Sequence, residues 1–568
     1  MTNALSLLGM LSLGLAWLVP THFLPWMSWH SEVLAFFGVF TLAWCGWQKS
    51  RAGSSAGGIA LPQAVIPFLL IAIIAFVQRL SGQIPFWGNV WTIWLYLGIC
   101  IAGVTFGAAV LVPRHGHREV DGNLEPLTSF ALILAIFGMI ATAMSLAQVF
   151  SLWEHTGFIV QMADVRRPGG NTAQPNHLAT IQVMAAASAL YLSRKQKLTT
   201  FSLCILVGYL AAGIAITESR TGALSFIALL LWWSRLHLTS QDKAKRIQVA
   251  AALAALFVFM FVAWPHFLNI FLLTDEATIN LTSSSRLIVW QQLLAALALH
   301  PWIGWGIGGV SKAHNAVASA YGVSSPFTYS HNLFLDLFLW VGIPASLALA
   351  IPCVVWLSRR LAEARKPRQW YAVAVFVPLV IHSMFEYPFA YGYLLAPAMV
   401  LFSLVAHESK IKPLVIVSSN VAACFLLAWS ALMAISIKEY LEIGEEFTRA
   451  RFQIARIGLS PPTTDDYPVV VLTQLAALAH AARWTPARPV TADQLGLLRS
   501  VALQYPWIAT QYRYAIALAL NGQNAEAERQ FKVIRAHFGP VKFSAVRVAV
   551  RELADSQFPE LAKLQLPD

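Results

Sequence analysis

Thirteen apolar stretches follow one another through the first 436 residues. They lie near 3–20, 31–48, 62–78, 90–112, 127–150, 176–193, 199–217, 221–236, 247–268, 331–357, 370–387, 391–407 and 413–436. Most approach the ~20 residues that cross a hydrocarbon core. Of the 568 residues, 57% are hydrophobic and only 12% charged, about half the charge of an ordinary soluble domain. The sequence therefore predicts an all-α polytopic membrane protein of about thirteen spans and excludes a soluble multidomain chain or a disordered one. Residues 3–20 lack the basic start of a signal peptide and run straight into further spans, so they read as the first helix. The five cysteines all sit inside apolar runs, without metal-ligand spacing or a disulfide framework.

The formal net charge of +12 would suggest nucleic acid in a soluble protein. Here the cations occupy short loops, which points instead to membrane orientation and anionic lipid headgroups. Alternate loops between the spans hold eighteen Lys and Arg, and the opposite set holds six: Arg79, Arg166, Arg167, Arg220, Arg286 and Lys312. The positive-inside rule puts the eighteen in the cytoplasm. Thirteen spans then leave the chain after 436 on the other side, the periplasm of a Gram-negative cell.

Two non-cytoplasmic segments are long, about 150–176 and about 269–330. The second contains Ser284 to Gly309, an amphipathic stretch that suits a helix on the membrane surface. Residues 1–436 thus read as the transmembrane catalytic domain and 437–568 as a periplasmic α-helical domain. The latter carries 15 Lys+Arg and 13 Asp+Glu. Within it, Gln511 to Pro540 has the small-residue pattern of a tetratricopeptide helix–turn–helix, with supporting helices expected at 468–482 and 492–504 and a loop at Ser460–Pro468.

Polar residues in or beside spans are costly and usually have a reason. They fall in five places: Gln174, Asn176 and His177; Glu218 and Arg220; Arg286; His331, Asn332 and Asp336; and His382, Glu386 and Tyr387. Nearly all fall at non-cytoplasmic span ends. Each also has a structural reading. Ser330 could cap a helix with His331 in its first turn, and Pro175 could start one. Tyr387 and Tyr391 could belong to an aromatic belt. Asp336 could bond a neighbouring helix, and His314 and Asn315 read as ordinary loop residues. As a set, arginines suit phosphate or pyrophosphate and a histidine suits a general base. No metal-site spacing, Walker loop or GxSxG elbow is present, so neither metal nor cofactor is expected.

At these residues the sequence resembles a known family. YSHNLFLDLFLWVGIP and the preceding SSSRLIVWQQLLAALALHPWIGWGIGG resemble the core of the O-antigen ligase and Wzy polymerase superfamily. GGNTAQPNHLAT resembles the motif of its protein-targeting branch, the bacterial O-linked oligosaccharyltransferases of PglL type. The resemblance implies a GT-C-like bundle and metal-independent transfer of a preassembled glycan. The donor would be undecaprenyl pyrophosphate and the acceptor a Ser or Thr of an exported protein such as pilin, at the inner membrane. It implies a catalytic histidine at His331, essential roles at Gln174 and Tyr387, and donor pyrophosphate binding by Arg220 and Arg286. His177, Asn176, Asn332, Asp336 and Glu218 are candidates for support. A lipid A-core ligase shares this chemistry. A lipid-linked glycan flippase is the rival of another class; it should show related halves and midplane polar residues, neither of which is evident.

Overall fold

The computed structural model describes residues 2–53, 58–113, 124–153, 155–161, 166–234, 240–270, 284–322, 324–407, 411–454 and 468–568. Among these the chain is helical apart from one two-stranded antiparallel ribbon, β1 (Gly58–Leu61) against β2 (Val415–Ser418), which pairs Gly58 with Ser418. The helices are α1 Thr2–Leu15, α2 Trp29–Gly53, α3 Ile66–Leu80, α4 Trp87–Leu111, α5 Pro126–Val149, α6 Pro175–Arg194 and α7 Thr200–Ile216. They continue as α8 Arg220–Ser234, α9 Ser240–Ile270, α10 Ser284–Leu299, α11 Val310–Val317, α12 Leu333–Val341, α13 Ile343–Glu363, α14 Pro367–Ser383 and α15 Gly392–Ala406. The last five are α16 Ser419–Ile454, α17 Thr473–Arg483, α18 Ala492–Gln504, α19 Ile508–Leu520 and α20 Asn524–Ser556.

Each of the thirteen apolar stretches contains a helix, and among the described residues six helical segments are long and apolar enough to cross a membrane. Leu347, Ile351, Val354 and Val355 of α13 are all exposed, as are Leu70, Ile73, Phe76 and Val77 of α3. Such faces are unsupportable in water and ordinary against lipid. The chain is a multi-pass membrane protein.

Two compact units emerge. The first comprises residues 1–69, 95–280 and 353–433; the second comprises 70–94, 281–352 and 434–568. In the first, α6 is buried along almost its whole length among α5, α7, α8 and α14. Small residues permit this: a Cβ on Gly138 of α5 would collide with the Ala185 side chain of α6. Tyr191 and Tyr371 stack at 4.6 Å, and the Ser188 and Tyr371 hydroxyls are hydrogen-bonded at 2.7 Å.

In the second unit the apolar stretch 331–357, expected to be one helix, is two. Gly342 breaks it at φ +80°, between α12 and α13. A break strands carbonyls, and the Gly-rich loop after α10 supplies the missing donors. Trp305 N–H donates to Leu339 O at 2.6 Å and Gly306 N–H to Trp340 O at 3.1 Å. Gln78 donates its Nε2 to the same Trp340 carbonyl and accepts from Ile307 N–H, both at 2.8 Å. The loop must approach closely: a Cβ on Gly342 would lie 2.3 Å from Trp302 O. The amphipathic stretch expected to run as one helix to Gly309 therefore stops at Leu299, because the loop beyond it serves this break.

His314 and Asn315, read as loop residues, lie instead in α11 and are buried. His314 meets the His537 ring of α20 at 4.6 Å, and its Nε2 lies 2.7 Å from Gln292 Oε1. Asn315 Nδ2 donates to Gln511 Oε1 at 3.1 Å. Burial pushes the His314 pKa down to about 4 and that of His537, also repelled by His314, down to about 3. Both rings fold neutral, whereas the unfolded chain takes up protons below its ordinary value of 6.5. Stability from this pair is thus complete above pH 6.5 and is lost as pH falls toward 4. We expect the melting temperature to drop between pH 7 and pH 5, and His537→Phe to flatten that slope. An unchanged slope in the variant would show that other groups set it.

The C-terminal helices match the expected supporting pair closely, at Thr473–Arg483 and Ala492–Gln504. The helix–turn–helix at Gln511–Pro540 is α19 and the first half of α20, joined at Gly522 (φ +77°). Its second helix continues past a break at Gly539 to Ser556. Of the loop expected at Ser460–Pro468, all but Pro468 lies outside the described residues. The Glu439 carboxylate of α16 accepts the backbone N–H groups of Val470, Val471 and Leu472 at 2.8–3.1 Å, which fixes the approach to α17.

Candidate active site

The candidate residues divide between the units. Gln174, Asn176, His177, Glu218, Arg220 and Tyr387 belong to the first, and Arg286, His331, Asn332 and Asp336 to the second.

In the first unit, Pro175 opens α6 as expected, and Gln174 is its N-cap. The Gln174 Oε1 accepts the His177 N–H at 3.0 Å. Its Nε2 has no protein partner among the described residues, so one half of the amide holds the helix and the other remains a donor. Ala173 before it adopts φ +54°. Two side chains fix the loop that feeds this turn. Gln148 clamps Gly170, accepting its N–H at 2.8 Å and donating to its carbonyl at 3.0 Å. Asn171 donates to Leu18 O and Phe158 O and accepts from Val160 N–H.

Asn176 Nδ2 donates to Glu386 Oε1 at 3.2 Å, joining the start of α6 to the end of α14. His177 Nδ1 pairs with the Tyr393 hydroxyl at 2.6 Å, and its ring meets Tyr391 edge-on at 4.4 Å. Tyr387 stacks on Tyr391 at 6.0 Å and is half-buried. The Gln174 and Tyr387 motifs, more than two hundred residues apart, thus form one polar cluster at the ends of α6 and α14. His177 is buried within it and serves its packing.

The turn before α8 is a second construction in this unit. Ser219 Oγ accepts the Gly222 N–H at 3.0 Å, capping the helix at whose first residue Arg220 stands exposed. Glu218 is held at φ +49° and its buried carboxylate accepts from Arg166 Nε at 3.1 Å. Arg167 Nε donates to Thr217 O at 3.0 Å. Arg166 and Arg167, which no motif had assigned, therefore build the turn that presents Arg220. An arginine at a helix amino end suits an anion, since the helix N–H groups and dipole favour negative charge there.

In the second unit, His331 is not in the first turn of its helix, and Ser330 is not the cap. Asn332 is the cap: its Oδ1 accepts from Phe334 N–H and Leu335 N–H, both at 3.1 Å. The Ser330 hydroxyl, two residues earlier, is engaged within the turn instead, accepting the Asn332 N–H at 3.2 Å. His331 precedes the cap at φ +61°, left-handed and strained for a residue with a Cβ. The strain is held from within: the Ser330 N–H donates to Asp336 Oδ1 at 2.7 Å and its Oγ to Asn332 O at 2.9 Å. Asp336 is buried and so acts on its own turn rather than on a neighbouring helix. The Phe327 ring packs on His331 at 4.7 Å. Arg286, half-buried, is the third residue of α10, whose Trp290 Nε1 donates to Ser330 O at 2.6 Å.

Three of the candidate motifs thus carry a non-glycine residue in the left-handed region, at Ala173, Glu218 and His331. Backbone strain of this kind persists only where surroundings over-determine it. These features define a membrane-embedded protein with an arginine at or near the start of two helices and a histidine fixed before a third. Residues 204–350 match the O-antigen ligase family, and residues 370–552 match a family described as the C-terminal part of a virulence-factor membrane-bound polymerase. The chain is 23% identical over 539 residues to the general O-oligosaccharyltransferase of Acinetobacter baylyi, covering 93% of this chain and 91% of that one. It is 25% identical over 398 residues to the ComP-specific O-oligosaccharyltransferase of the same organism, covering 68% of each. These matches support an O-oligosaccharyltransferase of the O-antigen ligase superfamily.

Proposed function

We propose that the chain transfers a preassembled oligosaccharide from undecaprenyl pyrophosphate to a Ser or Thr hydroxyl of an exported protein such as a pilin. It does so without a metal ion, on the periplasmic face of the inner membrane. The observation that carries this reading is the turn at His331, a histidine held in a strained conformation by Asp336 immediately before an α-helix. His331 takes the acceptor proton as the hydroxyl oxygen forms its bond to the anomeric carbon. The bond from that carbon to the phosphate oxygen breaks, and the diphosphate leaves with the electron pair. Gln174, through its Nε2, and Tyr387, through its hydroxyl, orient the acceptor or the leaving oxygens. The helical region after 436 presents the acceptor. Co-expression with a candidate pilin and a lipid-linked glycan pathway should add the glycan mass to the pilin. An unmodified pilin, with donor present and the protein correctly inserted, would overturn the reading.

Arg220 and Arg286 bind the donor diphosphate. Lysine keeps the charge and loses the bidentate fork. A charged hydrogen bond contributes ~1.5–3 kcal/mol, so each Arg→Lys change should cost roughly ten- to a hundredfold in transfer. Wild-type transfer in the double lysine variant would remove the assignment. The match of residues 204–350 to O-antigen ligases favours lipid A-core as a second acceptor. Rescue of the lipopolysaccharide ladder in a ligase-deficient strain would establish it.

A further inference from the structure

A cavity of about 160 Å³ lies in the second unit where three segments meet: the connection from α3 to α4, the start of α11, and α18. The loop-charge argument puts all three on the same side of the membrane. Gln83 and Asn89, Lys312, and Arg499, Ser500 and Gln504 supply its polar lining. None of the residues that line it is acidic.

Two features of this lining are unresolved by the protein. Lys312 and Arg499 repel one another across it. Lys312 rests near the face of Trp305 at 6.0 Å, whereas Arg499 hydrogen-bonds the Tyr514 side chain and is attracted by the Glu526 carboxylate. Meanwhile Asn89 Oδ1 and Gln504 Oε1 are buried acceptors with no hydrogen-bond partner among the described residues. Buried acceptors are seldom left so. Lys312, which forms no ion pair among the described residues, calls for an anion, and the acceptors need hydroxyl or N–H donors. A simple carboxylate would satisfy the first and oppose the second; inorganic phosphate keeps a P–OH donor at neutral pH but has no apolar face to set against the isoleucines of the lining. A sugar ring bearing a carboxylate satisfies both. Ile84 and Ile307 offer an apolar surface for its C–H face, and Gly308, at φ +78° with open space where a Cβ would stand, leaves room beside it.

We propose that this cavity is a binding subsite for an acidic, hydroxyl-bearing sugar residue. That the sugar belongs to the transferred glycan, on the lipid donor or on the modified protein, rests on the function proposed above. The test uses the full chain in detergent, with glucuronate, glucose, acetate and phosphate as probes in saturation-transfer NMR. Glucuronate should give the strong response, and neither acetate nor phosphate should displace it at equal concentration. The Lys312→Gln/Arg499→Gln variant should weaken glucuronate at least tenfold. Gln504→Glu, which places a carboxylate among the cations and so keeps the fold, should do the same. Wild-type binding in either folded variant, or equal displacement by acetate, would overturn the subsite. In transfer assays the same variants should raise the KM for a donor with an acidic glycan about tenfold and leave that for a neutral glycan unchanged. Equal effects on both donors would also overturn it. Glucuronate binding without any glycan transfer would keep the subsite and defeat the transferase reading instead.

Discussion

Replacing His331 with alanine should lower glycan transfer by ~10²–10⁴-fold, the range that one positioned general base supplies. A Ser or Thr hydroxyl is a poor nucleophile until its proton has somewhere to go. His331 stands just before α12, whose positive helix end favours an anionic diphosphate nearby. The measurement is pilin glycosylation by intact mass, with protein level and insertion checked. Transfer near the wild-type rate would sink the assignment. Loss of transfer with donor binding retained would separate the base from a donor-binding role. Asp336→Ala should act through His331, since it removes the acceptor of the Ser330 N–H and releases the turn. Asp336→Asn keeps an acceptor there and should recover part of the rate, with a pH profile closer to wild type.

Arg166→Ala should destabilise the first unit by ~3–5 kcal/mol, because it leaves the buried Glu218 carboxylate uncompensated. The pair is made at 3.1 Å with side chains 10% and 5% exposed, so solvent cannot screen the loss. Glu218 is also held at φ +49°, and releasing it frees the turn that presents Arg220. Transfer should therefore fall together with stability. The double replacement Arg166→Met/Glu218→Leu removes both charges and should restore much of the stability without the activity. Thermal melting in detergent and the mass assay read the two effects separately. If Arg166→Ala melts as wild type does, the ion pair does not hold the turn.

Much of the architecture was legible because lipid imposes one rule along the chain. Every backbone polar group must be satisfied within its own segment, so long apolar runs become helices. That is why each of the thirteen stretches contains one, whereas the paired helices after 468 were legible from their amphipathic, small-residue pattern. The site was legible as residue types in motifs. Its geometry was not. The Arg166–Glu218 pair and the Asn176–Glu386 bond join residues that are 52 and 210 positions apart, and nothing local marks either partner.

The same boundary separates the two kinds of determinant in this protein. Apolar run length, loop charge and the residue types at Gln174, Arg220, Arg286, His331 and Tyr387 are properties of the sequence alone, because each depends on neighbours along the chain. The break at Gly342, the cap at Asn332 rather than Ser330, and the burial of His314 against His537 were decided only by tertiary structure. In each, a donor or a ring from a distant segment changes which local conformation is lowest in energy. The Gly304–Gly306 loop can replace the hydrogen bonds of a broken helix only once it is packed against it.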